Sequence, residues 1–435
     1  MKLYSTNNKA NIVDLKEAVF KSLPIDKGLY MPCETPMLSL DFIKNIQQYT
    51  FPELAFEVCK NLFQARIPDQ DLKKIIEQSI TFSAPLVHLH DHQYILELFH
   101  GPSLAFKDFG ARFMAQLMSY FLKEEEEQKQ LTILVATSGD TGGAVAAGFY
   151  QTLGIEVVIL YPSGKVSDLQ EKQLTTLGKN ITALEINGNF DDCQAIVKQA
   201  FLDEDLNEQY NLSSANSINI ARLIPQSFYY FEAYKQLQDH SLPTVFCVPS
   251  GNFGNLTAGL LAKKMGLPIH QFIAATNINK VVPDYLATGA YEPKASSPTI
   301  SNAMDVGKPS NFVRMLDLHE GSTWNRMQES IAGSYCNDKT TRKIIKDIYQ
   351  EYHYTMCPHT AVGYHAAKQY KKEANIITLA TAHPSKFIDV VEKEIKTAVD
   401  IPERLASLKD KKKVSVELNN QFNSFKTWMQ QGRNE

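Results

Sequence analysis

Six short, largely apolar runs alternate with stretches of helical periodicity: Leu131–Ala136, Glu156–Tyr161, Ile181–Ile186, Thr244–Val248, Phe272–Thr276 and Asn375–Ala380. Runs this apolar have no polar face to turn to water. They predict parallel strands covered by helices on both faces, hence an α/β fold. With this many units and 435 residues, more than one sheet and two or three domains are expected. Net charge −4 gives no reason to expect a nucleic acid or an anionic membrane as partner. The amino terminus lacks an apolar signal core, and no run approaches membrane-spanning length. Six scattered cysteines without a CxxC pair read as free thiols in a reducing compartment. These features predict a cytoplasmic protein that binds something small.

Residues 1 to 80 read as helical segments, including 51–64 and 69–79, preceded by a turn at Gly28-Leu29-Tyr30-Met31-Pro32. Two β-like runs, Leu86–Leu89 and Tyr94–Phe99, flank a turn at Asp91-His92. His88, His90 and His92 alternate and would share one strand face, but no acidic partner is evident, and no metal site is expected. Phe106, Phe109, Phe113, Leu117 and Phe121 form the buried stripe of a helix that ends in the solvated run Glu124–Glu127. After Pro402 the chain is polar, with the basic run Lys411-Lys412-Lys413, and is expected to lie on the surface.

Lys107 stands alone in the apolar run Leu-Ala-Phe-Lys-Asp-Phe-Gly. An ammonium group avoids such surroundings unless a charge partner or a chemical role keeps it there. Desolvation lowers its pKa and frees the lone pair for attack on an aldehyde, as a lysine bearing pyridoxal phosphate (PLP) requires. A snorkelling lysine paired with a carboxylate is the other reading. Asp108, at i+1 on a helix, faces elsewhere.

Ligands of parallel sheets sit at the carboxyl ends of strands. Three such ends carry suggestive loops: Thr137-Ser138-Gly139-Asp140-Thr141-Gly142-Gly143, Pro249-Ser250-Gly251-Asn252-Phe253-Gly254-Asn255 and Thr381-Ala382-His383-Pro384-Ser385-Lys386. The first two open apolar helices and offer small residues and free amides to an anion. None matches GxxxxGK[ST] or completes GxGxxG, which disfavours nucleoside triphosphates and dinucleotides.

Ser103-Leu104-Ala105-Phe106-Lys107-Asp108-Phe109-Gly110, with Glu97 upstream, resembles the PLP-attachment signature of fold-type II enzymes. Leu98-Phe99-His100-Gly101-Pro102, Asn216-Ser217-Ile218-Asn219, Ser301-Asn302-Ala303-Met304-Asp305 and the three loops extend the resemblance, from Gly28 to about residue 390, to the threonine synthase family in its long bacterial and fungal form.

The resemblance implies two open, mostly parallel α/β domains and a small amino-terminal helical domain. The expected boundaries are 1–85 helical, 86–235 smaller α/β with the PLP lysine, 236–400 larger α/β with the phosphate loop, and 401–435 tail. It implies conversion of O-phospho-L-homoserine and water to L-threonine and phosphate, by a monomer or homodimer. Lys107 would hold PLP as a Schiff base and then act as acid and base. Gly251, Asn252, Phe253, Gly254 and Asn255 would cradle the cofactor phosphate, with Thr381 near the ring nitrogen. Ser138, Gly139, Asp140 and Thr141 would line the substrate carboxylate and the cofactor's 3-oxygen, which an anionic Asp140 would repel unless one of the two is protonated. Arg222 and Lys386, with Ser217 and Asn219 as donors, would hold the substrate phosphate. His100, His359 and His383 lie in matched motifs that suit positioning roles, and Cys357 stands where relatives often carry an acid. The alternatives are a dehydratase or phospholyase giving 2-oxobutyrate, and a PLP-binding relative without synthase activity; the Gly-Asn-Phe-Gly-Asn and Ser-Asn-Ala-Met-Asp strings argue against a dehydratase.

Overall fold

The computed structural model describes residues 1–125, 130–137, 139–320 and 323–431. Ser138, Glu126 and Glu127 lie outside the described residues. Two sheets organise the chain. The larger has six strands in the order Ile331–Tyr335, Gln271–Thr276, Thr244–Pro249, Asn375–Ala380, Gln93–Glu97 and Leu86–His90; only the last pair is antiparallel. The smaller has five parallel strands in the order Val416–Asn419, Ile181–Asn187, Ile155–Pro162, Leu131–Ala136 and Asn211–Ser213. Every residue of Thr244–Pro249 and Asn375–Ala380 is buried, as strands covered on both faces must be.

The helix Lys107–Leu122 lies against the helices Asp69–Ser79 and Asp140–Phe149. Phe109, Phe113, Leu117 and Phe121 are fully buried along one face, each worth roughly 1.5–3 kcal/mol against exposure. Beyond its carboxyl end, Glu124 pairs with Arg66 at 3.1 Å.

Three expectations need correction. The first concerns the mainly helical amino-terminal region, which contains a three-stranded antiparallel sheet ordered Ile12–Asp14, Lys2–Ser5, Tyr30–Pro32. Residues 30–32, read as part of a turn, are its third strand, and Tyr30 and Met31 are buried there. Second, Leu86–His90 and Gln93–Glu97 belong to the six-stranded sheet rather than to the smaller one, because Gln93–Glu97 pairs in parallel with Asn375–Ala380. Third, the tail is not merely surface. Val416–Asn419 completes the smaller sheet beside Ile181–Asn187, and the helix Phe422–Gln430, lying against the helix Phe190–Leu202, buries Phe425 and Met429 in the same apolar cluster as Cys193, Ile196 and Val197. Lys413 of the basic run bridges Glu171 at 2.7 Å and Glu185 at 2.5 Å. Phe425→Ala should therefore cost about 3–5 kcal/mol, as a buried phenylalanine does, and lower the midpoint of urea unfolding. A midpoint unchanged from wild type would return the tail to the surface.

His88 Nε2 contacts the Asp91 carbonyl at 2.7 Å, and His90 Nε2 contacts the Tyr364 hydroxyl at 2.8 Å. Among the described residues, no group of three or more His, Cys, Asp or Glu side chains could hold a metal ion, and no helix is long and apolar enough to cross a membrane.

Candidate active site

The strand Asn375–Ala380 lies between Thr244–Pro249 and Gln93–Glu97, so the three loops leaving their carboxyl ends meet. The Leu104–Phe106 segment is strapped to the segment after Ala380. Phe106 N–H donates to the Thr381 carbonyl at 2.9 Å, His383 N–H donates to the Leu104 carbonyl at 3.0 Å, and Ala105 bridges Ala382. The strap sets Lys107, the first residue of its helix, beside Thr381.

A single cavity is lined by Lys107, Asp140, Thr141, Ser217, Arg222, Thr381 and the whole of Gly251-Asn252-Phe253-Gly254-Asn255. Lys107 borders the cavity while protein crowds its amine. Burial pushes its pKa down to about 8, against the opposing pull of Asp140. Asp108, facing away, accepts from Ser103 N–H at 2.9 Å; burial pushes its carboxyl up to about 6.

The loop after Thr244–Pro249 is built to hold its own shape. Ser250 Oγ donates to Asn255 Oδ1 at 2.5 Å, Asn255 Nδ2 donates to the Pro249 carbonyl at 3.0 Å, and Phe253 takes a left-handed φ of 59°. Asn255 thus spends its side chain on the loop. Asn252 Oδ1 accepts from Ser310 N–H at 3.2 Å. A Cβ on Gly251 would lie 2.9 Å from Met304 Cα and 3.0 Å from the Ala303 carbonyl oxygen, so only glycine lets this loop meet the wall opposite.

Asp140 opens the helix Asp140–Phe149. Its Oδ1 accepts from Lys386 Nζ at 2.6 Å and from Gln170 Nε2 at 2.9 Å. Burial pushes this carboxyl up, but Lys386 and Lys107 together hold it well below the usual carboxylate range. Asp140 thus has a buried cationic partner, Lys386, at hydrogen-bond distance.

Two residues read as substrate-phosphate ligands are placed otherwise. Lys386 does not line the cavity; its ammonium is committed to Asp140 and, at 3.0 Å, to the Ser103 carbonyl. Asn219 caps the helix Ile220–Leu223 by accepting from Ala221 N–H at 2.9 Å, and donates to the Val19 carbonyl at 2.8 Å. Both are buried groups satisfied by protein partners. Arg222 does line the cavity; one amine reaches the Ala215 carbonyl at 2.5 Å, while the buried Nε has no partner. Burial lowers its pKa to about 10. Gly139 lies beside the cavity at φ 139°, at the amino terminus of the Asp140–Phe149 helix.

The structure adds His359, Gln226 and the Ala303–Met304 wall to the lining. His359 Nε2 accepts from Ala303 N–H at 3.2 Å, so this nitrogen is unprotonated; burial pushes the imidazole down to about 4. His100 instead pairs with Glu97 at 2.8 Å, His383 caps its own turn through Ser385 N–H at 3.2 Å, and neither lines the cavity. Cys357 caps the helix Pro358–Gln369.

The family model described as pyridoxal-phosphate dependent enzyme matches residues 82–382. Models described as threonine synthase N terminus and threonine synthase, C-terminal match residues 2–80 and 360–429. Threonine synthase from Escherichia coli (strain K12) is 44% identical over 412 residues, covering 94% of this chain and 95% of that protein. A crystal structure of the Escherichia coli enzyme superposes with TM-score 0.91 at 43% identity, covering 99% of this chain and 100% of that one. A PLP-bound threonine synthase from Brucella melitensis does so with TM-score 0.94 at 34% identity, covering 99% of each chain. Fold and cavity thus define a PLP-dependent enzyme of fold type II. The residues present fit that cofactor: an amine of lowered pKa shares a cavity with a glycine loop at a helix amino terminus, and Gly251 lets that loop lie close against the Ala303–Met304 wall. Within that class, the chain belongs to the threonine synthase family.

Proposed function

We propose that this chain converts O-phospho-L-homoserine and water to L-threonine and phosphate, the last step of threonine biosynthesis. The observation that carries the reading is the meeting of Lys107, the Gly251–Asn255 loop, Thr381, Asp140 and Arg222 in one cavity. PLP, when bound, supplies a conjugated ring that takes up the electrons left when a proton leaves carbon. Lys107 holds the cofactor and moves protons at the substrate's carbons; an amine lowered to about 8 both accepts and returns them near neutrality. Main-chain N–H groups of Gly251, Asn252, Phe253, Gly254 and Asn255 bind the cofactor phosphate at the amino terminus of the helix Gly254–Lys264. Thr381 would offer its hydroxyl to the ring nitrogen, and Asp140 would serve the side of the 3-oxygen.

Gly139 and Thr141, at the amino terminus of the Asp140–Phe149 helix, take the substrate carboxylate together with Ser138. Arg222 and Ser217 take the substrate phosphate. Arg222 is suited to this because it is desolvated, lies in the cavity wall and has no carboxylate partner among the described residues. The six cysteines are all free, which supports the reading of a reducing, cytoplasmic compartment.

The purified protein should show the absorption band of a lysine-bound PLP and, given O-phospho-L-homoserine, release threonine and phosphate in equal amounts. Release of 2-oxobutyrate without threonine would favour a phospholyase instead.

A further inference from the structure

We propose that Lys386, assisted by Gln170, is a positioning residue that competes with Lys107 for the carboxylate of Asp140, and so governs when the cofactor lysine gives up its proton. The inference rests on the reading of Lys107 as that lysine.

The geometry is a closed arrangement. Asp140 Oδ1 receives both Lys386 Nζ at 2.6 Å and Gln170 Nε2 at 2.9 Å. Lys386 is further tied to the Ser103 carbonyl at 3.0 Å, on the loop that leads to Lys107. Gln170 accepts in turn from Ser167 Oγ at 3.0 Å. A Cβ on Gly139 would come within 2.9 Å of Gln170 Oε1, so glycine at 139 is what leaves the amide its place. The Lys386 side chain is 1% exposed and that of Asp140 8%, so solvent does not screen the pair as it would at the surface. Breaking such a pair leaves a buried charge uncompensated.

Among the described residues, the charged groups acting on Lys107 are Asp140, Lys386 and Arg222, and Asp140 is the anion of the three. Asp140 in turn faces Lys386, Lys107 and His359. The Cys357 thiol also senses Asp140, and burial keeps it protonated. Lys386 also faces the Asp108 carboxyl, but Asp140 is the carboxylate it shares with Lys107. Remove Lys386, and Asp140 serves Lys107 alone, which then holds its proton more tightly. Neutralise Asp140, and Lys107 faces two cations and releases its proton more readily. A purely structural role for Lys386 would not give these opposite signs.

The test uses the full chain stripped of cofactor. PLP recapture requires the neutral amine of Lys107, so its rate against pH, followed by absorbance, reports the protonation of Lys107. Lys386→Met should move the midpoint up by about one pH unit, slowing capture about tenfold below the midpoint. Asp140→Asn should move it down, and Lys386→Arg should keep it at the wild-type value. Lys386→Gln should repeat the upward shift where methionine at this site impairs folding. An unchanged midpoint in both Lys386→Met and Lys386→Gln, or shifts of the same sign for Lys386→Met and Asp140→Asn, would overturn the proposal. Capture by Lys107→Ala as fast as by wild type would overturn the assignment of Lys107 instead.

Discussion

Lys107→Ala is expected to lower turnover at least about 10³-fold, since both cofactor attachment and proton transfer pass through this amine. The size of the effect follows from what surrounds it. Among the described residues, Lys107 and Arg222 are the cations that line the cavity. A guanidinium stays protonated near neutrality even when burial lowers it to about 10, so Arg222 cannot replace the amine as a base. Lys386 is the other lysine nearby, and its ammonium is committed to Asp140 and the Ser103 carbonyl. Steady-state release of threonine and phosphate measures the loss. An unfolding midpoint close to wild type would show that the fold survives, since Lys107 sits at a helix start and carries none of the buried stripe. Activity above about a hundredth of wild type would remove Lys107 from the chemistry.

The second large effect is expected at Gly251, where alanine should weaken PLP binding about tenfold to a hundredfold. A new Cβ there would meet Met304 Cα at 2.9 Å, the Ala303 carbonyl at 3.0 Å and Val306 Cγ2 at 3.0 Å. The wall cannot easily retreat. Ala303 N–H is held by His359 at 3.2 Å, and Asp305 just beyond accepts from Asn277 at 2.8 Å and from Thr299 N–H at 2.9 Å. The loop must move instead, and its amides leave their positions. Overpacking of this kind costs about 1–3 kcal/mol, and about 1.4 kcal/mol is tenfold in affinity. Gly254→Ala is the control. Its Cβ would find Asn311 Nδ2 at 3.5 Å and Gln226 Nε2 at 3.8 Å, ordinary contacts, so its effect should be several-fold smaller. Equal weakening by the two substitutions, measured by equilibrium titration with PLP, would show that the wall is not the cause.

Strands announced by apolar runs were legible in the sequence because burial on both faces leaves a composition no loop shares. Ile331–Tyr335 was not, since Ile-Ala-Gly-Ser-Tyr lacks the bulk of a core strand. Val416–Asn419 was hidden by its alternation of half-buried and exposed residues at a sheet edge. At the site, the glycine loop and Lys107 could be read because their chemistry is local. The roles of Lys386 and Asn219 could not, because a residue's partner is set by tertiary packing: Asp140 for the one, Val19 and Ala221 for the other. Arg222 and Lys386 look equivalent in sequence, as cations after strand-end loops, and differ only in that one has found a carboxylate. His359 carried a partial signal, its motif, without the Ala303 amide that gives it work.

The closing strand Val416–Asn419 has a consequence for how the chain is made. It is translated after every other strand of both sheets, yet it covers the flank of Ile181–Asn187, which is otherwise an unpaired row of main-chain donors and acceptors beside an apolar core. During synthesis, the smaller sheet must therefore wait with that flank open while the rest of the chain, including the Asn375–Ala380 strand beside Lys107, is still being made. A nascent chain stalled anywhere between residues 188 and 415 would present a sticky edge to its neighbours on the same message. The step most exposed to aggregation in this enzyme's life is thus the interval before the tail arrives.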